Sequence, residues 1–261
     1  MELPPEPDPR HSGTARLLGG AGLARLQASR VMIIGIGGVG SWTAEALARA
    51  GVGHLHLIDL DEICVSNVNR QIHATDATVG QMKVEAMAER IRSFAPDTEV
   101  KADLRFFTDQ SCAEILETEP DVVVDCIDSI PHKCLLLSEC RRRGLRVVTV
   151  GAAGGRGDPT QVMCVDLTRT YRDALLQRVR KKLRQKFDFP RNTRKKWGIP
   201  AVFSPEAPVF PQSDGSVCDT REEGSQLKLD CASGYGTVGY VTGTFGFAAA
   251  HAAVTLLTHT E

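Results

Sequence analysis

The chain has 261 residues, of which 42% are hydrophobic and 24% are charged. This composition is typical of a globular protein with a sizeable core and excludes disordered and collagen-like chains. Lysine and arginine number 31 against 32 aspartates and glutamates, so the overall charge indicates no anionic partner, and any basic surface must be local. Eight cysteines without a C-x-x-C pair argue against a paired-cysteine zinc site and favour reduced thiols, as in a cytoplasmic protein.

Residues 1–30 are predicted to form an N-terminal arm. The opening is acidic and rich in proline, unlike an export signal, so we expect none. Apolar residues recur at mixed three- and four-residue spacing between residues 15 and 26, which predicts a helical arm.

From residue 31 onward, short β-branched runs alternate with longer helical patterns, as in parallel strands joined by helices. Strands are expected at 31–36, 54–59, 99–102, 121–127, 146–150 and 161–165, and helices at 39–50, 81–94, 109–117 and 133–143. This order predicts an α/β fold: a doubly wound, Rossmann-like, mostly parallel sheet over residues 31–165.

Residues 166–261 are expected to form an extension for substrate binding and dimerisation. Residues 169–196 hold twelve lysines or arginines against two aspartates, which favours contact with RNA phosphates over a merely solvated helix face. Prolines, glycines and serines crowd residues 197–233, which predicts a long, irregular crossover loop. Residues 238–257 are uncharged, but their polar residues favour packing under the sheet or across a dimer, so an integral membrane protein is not expected.

A glycine-rich motif follows the first predicted strand. Gly35, Gly37, Gly38 and Gly40 stand between this strand and a helix, where the backbone must approach phosphate closely, so the motif predicts nucleotide binding. Asp59 ends the second predicted strand, where a carboxylate can bind ribose hydroxyls. A dinucleotide dehydrogenase would share both features.

Charged groups that hydride transfer does not need follow Asp59. Arg70 and Lys83 can neutralise charge on a reacting triphosphate. Asp128, at the end of the fourth predicted strand, can bind Mg²⁺ that bridges phosphate oxygens, or alternatively cap the next helix. Together these groups favour attack at a phosphorus atom.

The elements G-x-G-x-x-G, D-x-D, N-x-x-R-Q, a lysine and D-x-x-D over residues 31–155 resemble the ubiquitin-activating-enzyme-like adenylating family, which activates carboxylates. The resemblance implies that residues 31–165 form an ATP-binding adenylation domain. It also implies ATP and Mg²⁺ as cofactors, with a monovalent cation, Na⁺ or K⁺, as a further candidate. It implies roles for six residues: ribose binding by Asp59, with Asp61 as the second aspartate of the pair, phosphate binding by Asn67, Arg70 and Lys83, and metal binding by Asp128.

Within this family, residues 13–17, 154–155, 158–161, 211–215 and 230–234 resemble the branch that dehydrates threonylcarbamoyladenosine in tRNA. The branch that adenylates sulfur carriers usually has two zinc C-x-x-C pairs, which this sequence lacks. The resemblance implies that the threonyl carboxylate attacks the α-phosphorus of ATP. An internal atom then closes a ring as AMP departs, with net loss of water.

Two more candidates depend on this resemblance. In the family an N-terminal arginine of one subunit reaches the γ-phosphate of its partner, which implies a homodimer and suggests Arg16, although Arg16 and Arg10 could equally be solvated arm residues. Cys231, in the crossover loop, could accept sulfur from a cysteine desulfurase, touch the activated carbonyl, or be a bystander thiol.

Two other functions stay open. One is adenylation of the C-terminal glycine of a sulfur-carrier protein. The other is a catalytically silent nucleotide-binding or sulfur-relay scaffold, against which the presence of Arg70, Lys83 and Asp128 argues.

Overall fold

The computed structural model describes residues 8–192, 195–220 and 235–259. A seven-stranded sheet forms their centre: β1 (Arg30–Ile34), β2 (His54–Ile58), β3 (Glu99–Asp103), β4 (Val122–Asp125), β5 (Arg146–Val150), β6 (Met163–Asp166) and β7 (Pro200–Phe203). The strand order is β3-β2-β1-β4-β5-β7-β6, and neighbours are parallel except for β6, which runs antiparallel to β7. The predicted doubly wound α/β fold is confirmed.

Helices cover both faces of this sheet. They are α1 (Ser12–Ala28), α2 (Gly40–Ala50), α3 (Lys83–Phe94), α4 (Cys112–Leu116), α5 (Ile130–Arg143), α6 (Ala174–Lys186) and α7 (Gly239–Thr258). Side chains alternate along each strand, so Val31 and Ile33 pack with α1, α2, α3 and α7, whereas Met32 and Ile34 pack with α4, α5 and α6. Burial on both faces explains the continuous apolar runs of the strands.

The N-terminal arm is helical, as predicted. Helix α1 is kinked at Gly19, whose φ of 77° is not helical. Leu23 and Leu26 in its second half are buried, whereas Leu17, just before the kink, is 83% exposed. The second half of α1 is therefore part of the core.

The prediction of an irregular crossover loop over residues 197–233 is wrong for one short segment. Residues Pro200–Phe203 form β7, between β5 and β6, and Ala201, Val202 and Phe203 are fully buried. The run is only four residues long, begins with proline and lies close to Gly198 and Pro205, so the local sequence indicates a loop. It forms a strand because it is buried and pairs with β5 and β6. A two-stranded hairpin follows, β8 (Phe210–Pro211) with β9 (Val217–Cys218).

Residues after 165 therefore contribute to the main sheet. The division into an N-terminal arm (1–30), an ATP-binding adenylation domain (31–165) and a C-terminal extension (166–261) stays a prediction. The last predicted strand is also displaced: Pro159–Gln161 form a 3₁₀ turn, with Asp158 accepting a hydrogen bond from the Thr160 amide, and β6 begins at Met163.

Helix α7 is long and apolar enough to cross a membrane. Its Val241, Phe245 and Ala249, however, are fully buried between α2 and the sheet. A Cβ atom at Gly246 would lie 2.5 Å from the Cβ of Trp42, so glycine there allows α2 and α7 to approach closely. These contacts make α7 a core helix.

Candidate nucleotide-binding site

A glycine-rich turn connects β1 to α2 at the carboxyl edge of the sheet. Gly35 has a φ of 90°, and a Cβ atom there would lie 2.9 Å from the Cys126 carbonyl oxygen. A Cβ atom at Gly40 would lie 1.8 Å from the Gly35 oxygen, so the turn tolerates no side chain at that position. At Gly37, by contrast, no described atom lies within 4 Å of such a Cβ. The turn is tight at its two ends and open in the middle, as phosphate binding requires.

Asp59, directly after β2, ties the neighbouring strand to this turn. Its carboxylate accepts hydrogen bonds from the amides of Ile36, at 2.6 Å, and Asp61, at 2.9 Å. Burial raises the pKa of Asp59, and the nearby charge of Lys83 opposes that rise. A carboxylate has about four lone-pair positions, so Asp59 keeps acceptor capacity for ribose hydroxyls.

Lys83 and Asp61 form an ion pair beside Asp59, with 2.6 Å between Nζ and Oδ2. The side chain of Lys83, the first residue of α3, is only 9% exposed, whereas that of Asp61 is 53% exposed. The Lys83 amide also donates to the Asp61 carbonyl. The structure thus brings Asp59, Asp61 and Lys83 together, and Asp61 holds the lysine in place.

Arg70 lies against the glycine turn. Its Cδ is 3.6 Å from the position of a Cβ at Gly38, and its Nη1 donates to the Ser66 carbonyl at 2.6 Å and to Asn69 Oδ1 at 3.1 Å. Within the described ranges its guanidinium pairs with no carboxylate, which leaves its charge available for phosphate.

Asn67 serves the local backbone. Its side chain is buried, and its Oδ1 accepts a hydrogen bond from the Cys64 amide at 3.1 Å. This contact shapes the turn that leads to Arg70, so the amide oxygen of Asn67 already has a structural partner.

Asp128 is exposed in the loop between β4 and α5, at the same edge of the sheet as the glycine turn. No hydrogen bond or ion pair to its carboxylate occurs in the part of the chain that the structure describes, and the helix-cap alternative is therefore wrong. Hard cations such as Mg²⁺ prefer oxygen ligands, and an unpaired carboxylate at the same sheet edge as the open glycine turn fits that preference.

The sequence did not indicate the buried pair beneath this loop. Asp125 and Lys133 are both fully buried, with 2.8 Å between Nζ and Oδ2. The hydroxyl of Thr149 also donates to Asp125, at 2.7 Å. Burial raises the pKa of Asp125, and the ammonium of Lys133 opposes the rise. The one available signal was a single lysine inside the apolar face of a predicted helix.

The remaining predicted residues lie elsewhere. Arg16 is exposed on α1, where its guanidinium donates to the carbonyl and hydroxyl of Ser12, both at 3.2 Å. Cys231 lies outside the described residues.

The carboxyl ends of β1, β2 and β4 therefore carry the open glycine turn, the buried carboxylate of Asp59, two cations and the unpaired carboxylate of Asp128. The sequence pattern of the ThiF family matches residues 10–261. The chain belongs to this family. The adenylating-family resemblance predicted from the motifs is thereby confirmed.

Relatives across the ThiF family differ in how much of the chain they match. The tRNA threonylcarbamoyladenosine dehydratase of Escherichia coli (strain K12) is 46% identical over 92% of this chain and 90% of its own length. A crystal structure of the E. coli dehydratase in complex with ATP superposes with a TM-score of 0.84 at 40% identity, covering 95% of this chain and 93% of that one. The E. coli molybdopterin-synthase adenylyltransferase is 34% identical, but over only 58% of this chain.

Proposed function

We propose that the protein is an ATP-dependent tRNA threonylcarbamoyladenosine dehydratase. The observation that carries this proposal is similarity to the ATP-bound dehydratase over almost the whole chain, including the residues beyond the nucleotide site. Similarity to the molybdopterin-synthase adenylyltransferase covers little more than half of the chain. Adenylation of a sulfur carrier is therefore the second candidate. The presence of Arg70, Lys83 and Asp128 at the site argues against a silent scaffold.

The reaction begins when a threonyl carboxylate oxygen attacks the α-phosphorus of ATP, whose bond to the bridging oxygen breaks to release pyrophosphate. The open turn at Gly37 offers backbone amides to phosphate, and Asp59 binds the ribose. Arg70 and Lys83 stabilise the negative charge that moves onto the leaving pyrophosphate. Their positive charges are most valuable in the transition state, where this charge is greatest.

The second step is intramolecular. A nucleophilic atom of the carbamoyl-threonyl side chain attacks the activated carbonyl and gives up its proton to solvent, the carbonyl–oxygen bond to AMP breaks, and a five-membered ring closes. The original carboxylate oxygen leaves with AMP, which accounts for the net loss of water. Positioning alone can accelerate such a closure strongly, because both reacting groups belong to one molecule.

Asp128 is the residue that would hold Mg²⁺. The ion would neutralise charge on phosphate oxygens. The support is the exposed, unpaired carboxylate at the edge of the glycine turn. A monovalent cation, Na⁺ or K⁺, remains a further candidate for which we assign no residue.

We propose that tRNA binds along helix α6. Its Leu176, Val179 and Leu183 are fully buried, the opposite face exposes Arg178 and Lys181, and Lys186 is exposed at the end of the helix. Helix α6 begins beside the end of β5, since Asp173 at its N-terminus accepts a hydrogen bond from the Ala152 amide at 2.9 Å. A basic surface therefore starts at the edge of the sheet that carries the nucleotide site.

Arg180, on the same helix, is not one of these exposed cations. It is half-buried and donates to the hydroxyl of Thr170, and burial lowers the pKa of its guanidinium. We assign Arg180 to the fold and leave it out of the RNA-binding face.

A homodimer is proposed on two grounds. The arginine of the arm, Arg16, makes its hydrogen bonds to Ser12 and would need a second copy to reach an ATP γ-phosphate. Large apolar side chains are also exposed on α1, the helix that carries Arg16, and on α7, which packs against α1: Leu17 on α1, and Tyr240 and Phe247 on α7. We further propose a cytoplasmic location, and sulfur transfer from a cysteine desulfurase to Cys231 as a candidate partner reaction.

The decisive experiment is mass spectrometry of nucleosides from tRNA that carries threonylcarbamoyladenosine, after incubation with the protein, ATP and Mg²⁺. We expect the modified adenosine to lose the mass of one water, no change without ATP, and a much slower change with Arg70→Ala. Pyrophosphate exchange that depends on a sulfur-carrier protein and not on tRNA would favour the second candidate.

A further inference from the structure

Lys133 is a lysine without access to solvent. It lies in the first turn of α5, and its side chain is fully buried. Its ammonium has three hydrogen-bond acceptors: Asp125 Oδ2 and the Ile127 carbonyl, both at 2.8 Å, and the Asp125 carbonyl at 3.3 Å. All three donor hydrogens of the ammonium therefore have a partner.

Every one of these acceptors belongs to the segment 125–128, which ends at Asp128. The Asp125 carboxylate completes the arrangement, because its Oδ1 accepts a hydrogen bond from the Ile127 amide at 3.1 Å. The same segment also contacts the glycine turn, since the Cys126 carbonyl limits the space at Gly35. Lys133 thus ties the loop that carries Asp128 to the rest of the site.

Stability alone gives no reason for such a pair. Removing two charges from water costs several kcal/mol per ion, and apolar residues of similar volume often stabilise a core equally well or better. The pair fixes the backbone of one short loop in a single conformation. A metal-binding carboxylate needs this kind of support, because residues behind the ligands commonly set metal affinity.

We propose that Lys133, together with Asp125, is a positioning residue that holds the segment 125–128 so that Asp128 can bind Mg²⁺ next to the triphosphate. This inference rests on the metal role proposed for Asp128. Lys133 acts through the loop and touches neither substrate nor metal.

The test is the affinity of the full-length protein for ATP, measured by calorimetry with Mg²⁺ and with a chelator. The variant is Asp125→Asn/Lys133→Met, which removes both charges and so leaves none unpaired. We expect the gain in affinity from Mg²⁺ to fall by roughly tenfold to a hundredfold, while affinity in chelator changes little. In an Asp128→Ala background the same double change should cause no further loss.

Cys140→Ala is the matched control, because Cys140 is also fully buried in α5 but lies about two turns further along the helix. It should lower the unfolding temperature without altering the effect of Mg²⁺. If the double variant fails to fold, Lys133→Arg keeps the charge but changes the geometry, and should still reduce the effect of Mg²⁺.

Two negative results are distinguishable. If Asp128→Ala loses the effect of Mg²⁺ but a folded Lys133 variant keeps it, the positioning role is wrong and the metal site stands. If Asp128→Ala itself keeps the effect of Mg²⁺, the metal role of Asp128 is wrong, and the inference about Lys133 falls with it.

Discussion

The hydroxyl of Thr242 donates a hydrogen bond of 3.1 Å to the main-chain carbonyl of Arg70, 172 residues earlier in the sequence. The indole N–H of Trp42 donates to the same carbonyl at 3.0 Å. Helices α2 and α7 therefore meet at one backbone atom of Arg70, the residue that we propose binds phosphate. The described chain that follows the crossover region is thus in direct contact with the nucleotide site.

This contact predicts that Thr242 supports turnover. Thr242→Val removes the hydroxyl at similar volume and should cost about 1 kcal/mol of stability. We expect kcat to fall severalfold, since Arg70 loses one of two groups that fix its backbone. Steady-state kinetics check this, with Thr244→Val as the control, because among the described residues the Thr244 hydroxyl bonds to a single partner, the Tyr240 carbonyl of its own helix. Equal rates in the two variants would contradict the prediction.

Alanine substitutions in the glycine turn should separate stability from affinity. A Cβ at Gly40 meets the Gly35 oxygen at 1.8 Å, so Gly40→Ala must distort the turn and should lower the unfolding temperature markedly. A Cβ at Gly37 meets open space, so Gly37→Ala should fold normally yet weaken ATP binding by occupying room that phosphate needs. Thermal unfolding and ATP calorimetry on both variants test this. Normal ATP affinity in Gly37→Ala would place the phosphates elsewhere.

Substitutions of the charged residues of the site should fall into two groups, those that lower kcat and those that weaken ATP binding. Arg70→Ala and Lys83→Ala should lower kcat by about a hundredfold, because their charges act mainly on the developing charge of the transition state. Asp59→Asn should chiefly weaken ATP binding, since it contacts the ribose in ground and transition states alike. The measurement is steady-state kinetics together with ATP calorimetry. Near-normal rates in both cation variants would show that the phosphate roles are wrong.

Sequence patterns predicted those strands and helices whose residues show a clear local periodicity. Strand β5 was predicted at its observed residues, 146–150, because a β-branched run between two helices has one reasonable interpretation. Strand β7 was missed, because Pro200–Phe203 becomes a strand only through two paired positions with β5 and four with β6. Its identity depends on tertiary contacts that no four-residue window contains.

The same limit applies to the site. Arg70 and Asp128 could be suspected from the sequence alone, because each follows a predicted strand and is of a residue type that suits phosphate chemistry. Lys133 gave almost no signal, because most lysines on helices are exposed and only the fold shows that this one is buried against Asp125. The burial of a charge is a property of packing, not of local sequence.

His73 predicts a pH dependence of stability. It is buried, its ring nitrogens find no hydrogen-bond partner in the described structure, and burial lowers its pKa to about 4, from 6.5. The unfolded chain takes up a proton below about pH 6.5 and the folded chain does not. Its contribution is therefore fully present above that pH and is lost as the pH falls toward 4, by on the order of 3 kcal/mol in total.

Replacing His73 with leucine should flatten this dependence. We expect the difference in free energy of unfolding between about pH 7.5 and about pH 5 to shrink in His73→Leu, as measured by urea unfolding. His251→Gln is the control, because His251 is exposed on α7. A wild-type pH profile in His73→Leu would mean that folding does not lower the pKa of His73.

The basic face of α6 predicts a salt-dependent interaction with tRNA. Each phosphate that a protein cation neutralises releases counterions, so affinity falls linearly on a log–log plot against salt. Arg178→Gln/Lys181→Gln removes two exposed charges and should flatten that slope by roughly 2, independently of the tRNA sequence. ATP affinity should not change, because neither residue contacts the glycine turn, Asp59 or Lys83. Filter binding across a salt series provides the measurement.

The control must remove the same charge from another surface. Arg30→Gln/Lys101→Gln does so, because Arg30 on β1 and Lys101 on β3 are exposed in the part of the sheet farthest from β6 and α6. A general effect of net charge would weaken tRNA binding equally in both double variants. A specific docking face predicts a flatter slope only when Arg178 and Lys181 are replaced. Unchanged slopes in both would mean that α6 is a solvated helix, and that tRNA contacts another surface of the protein.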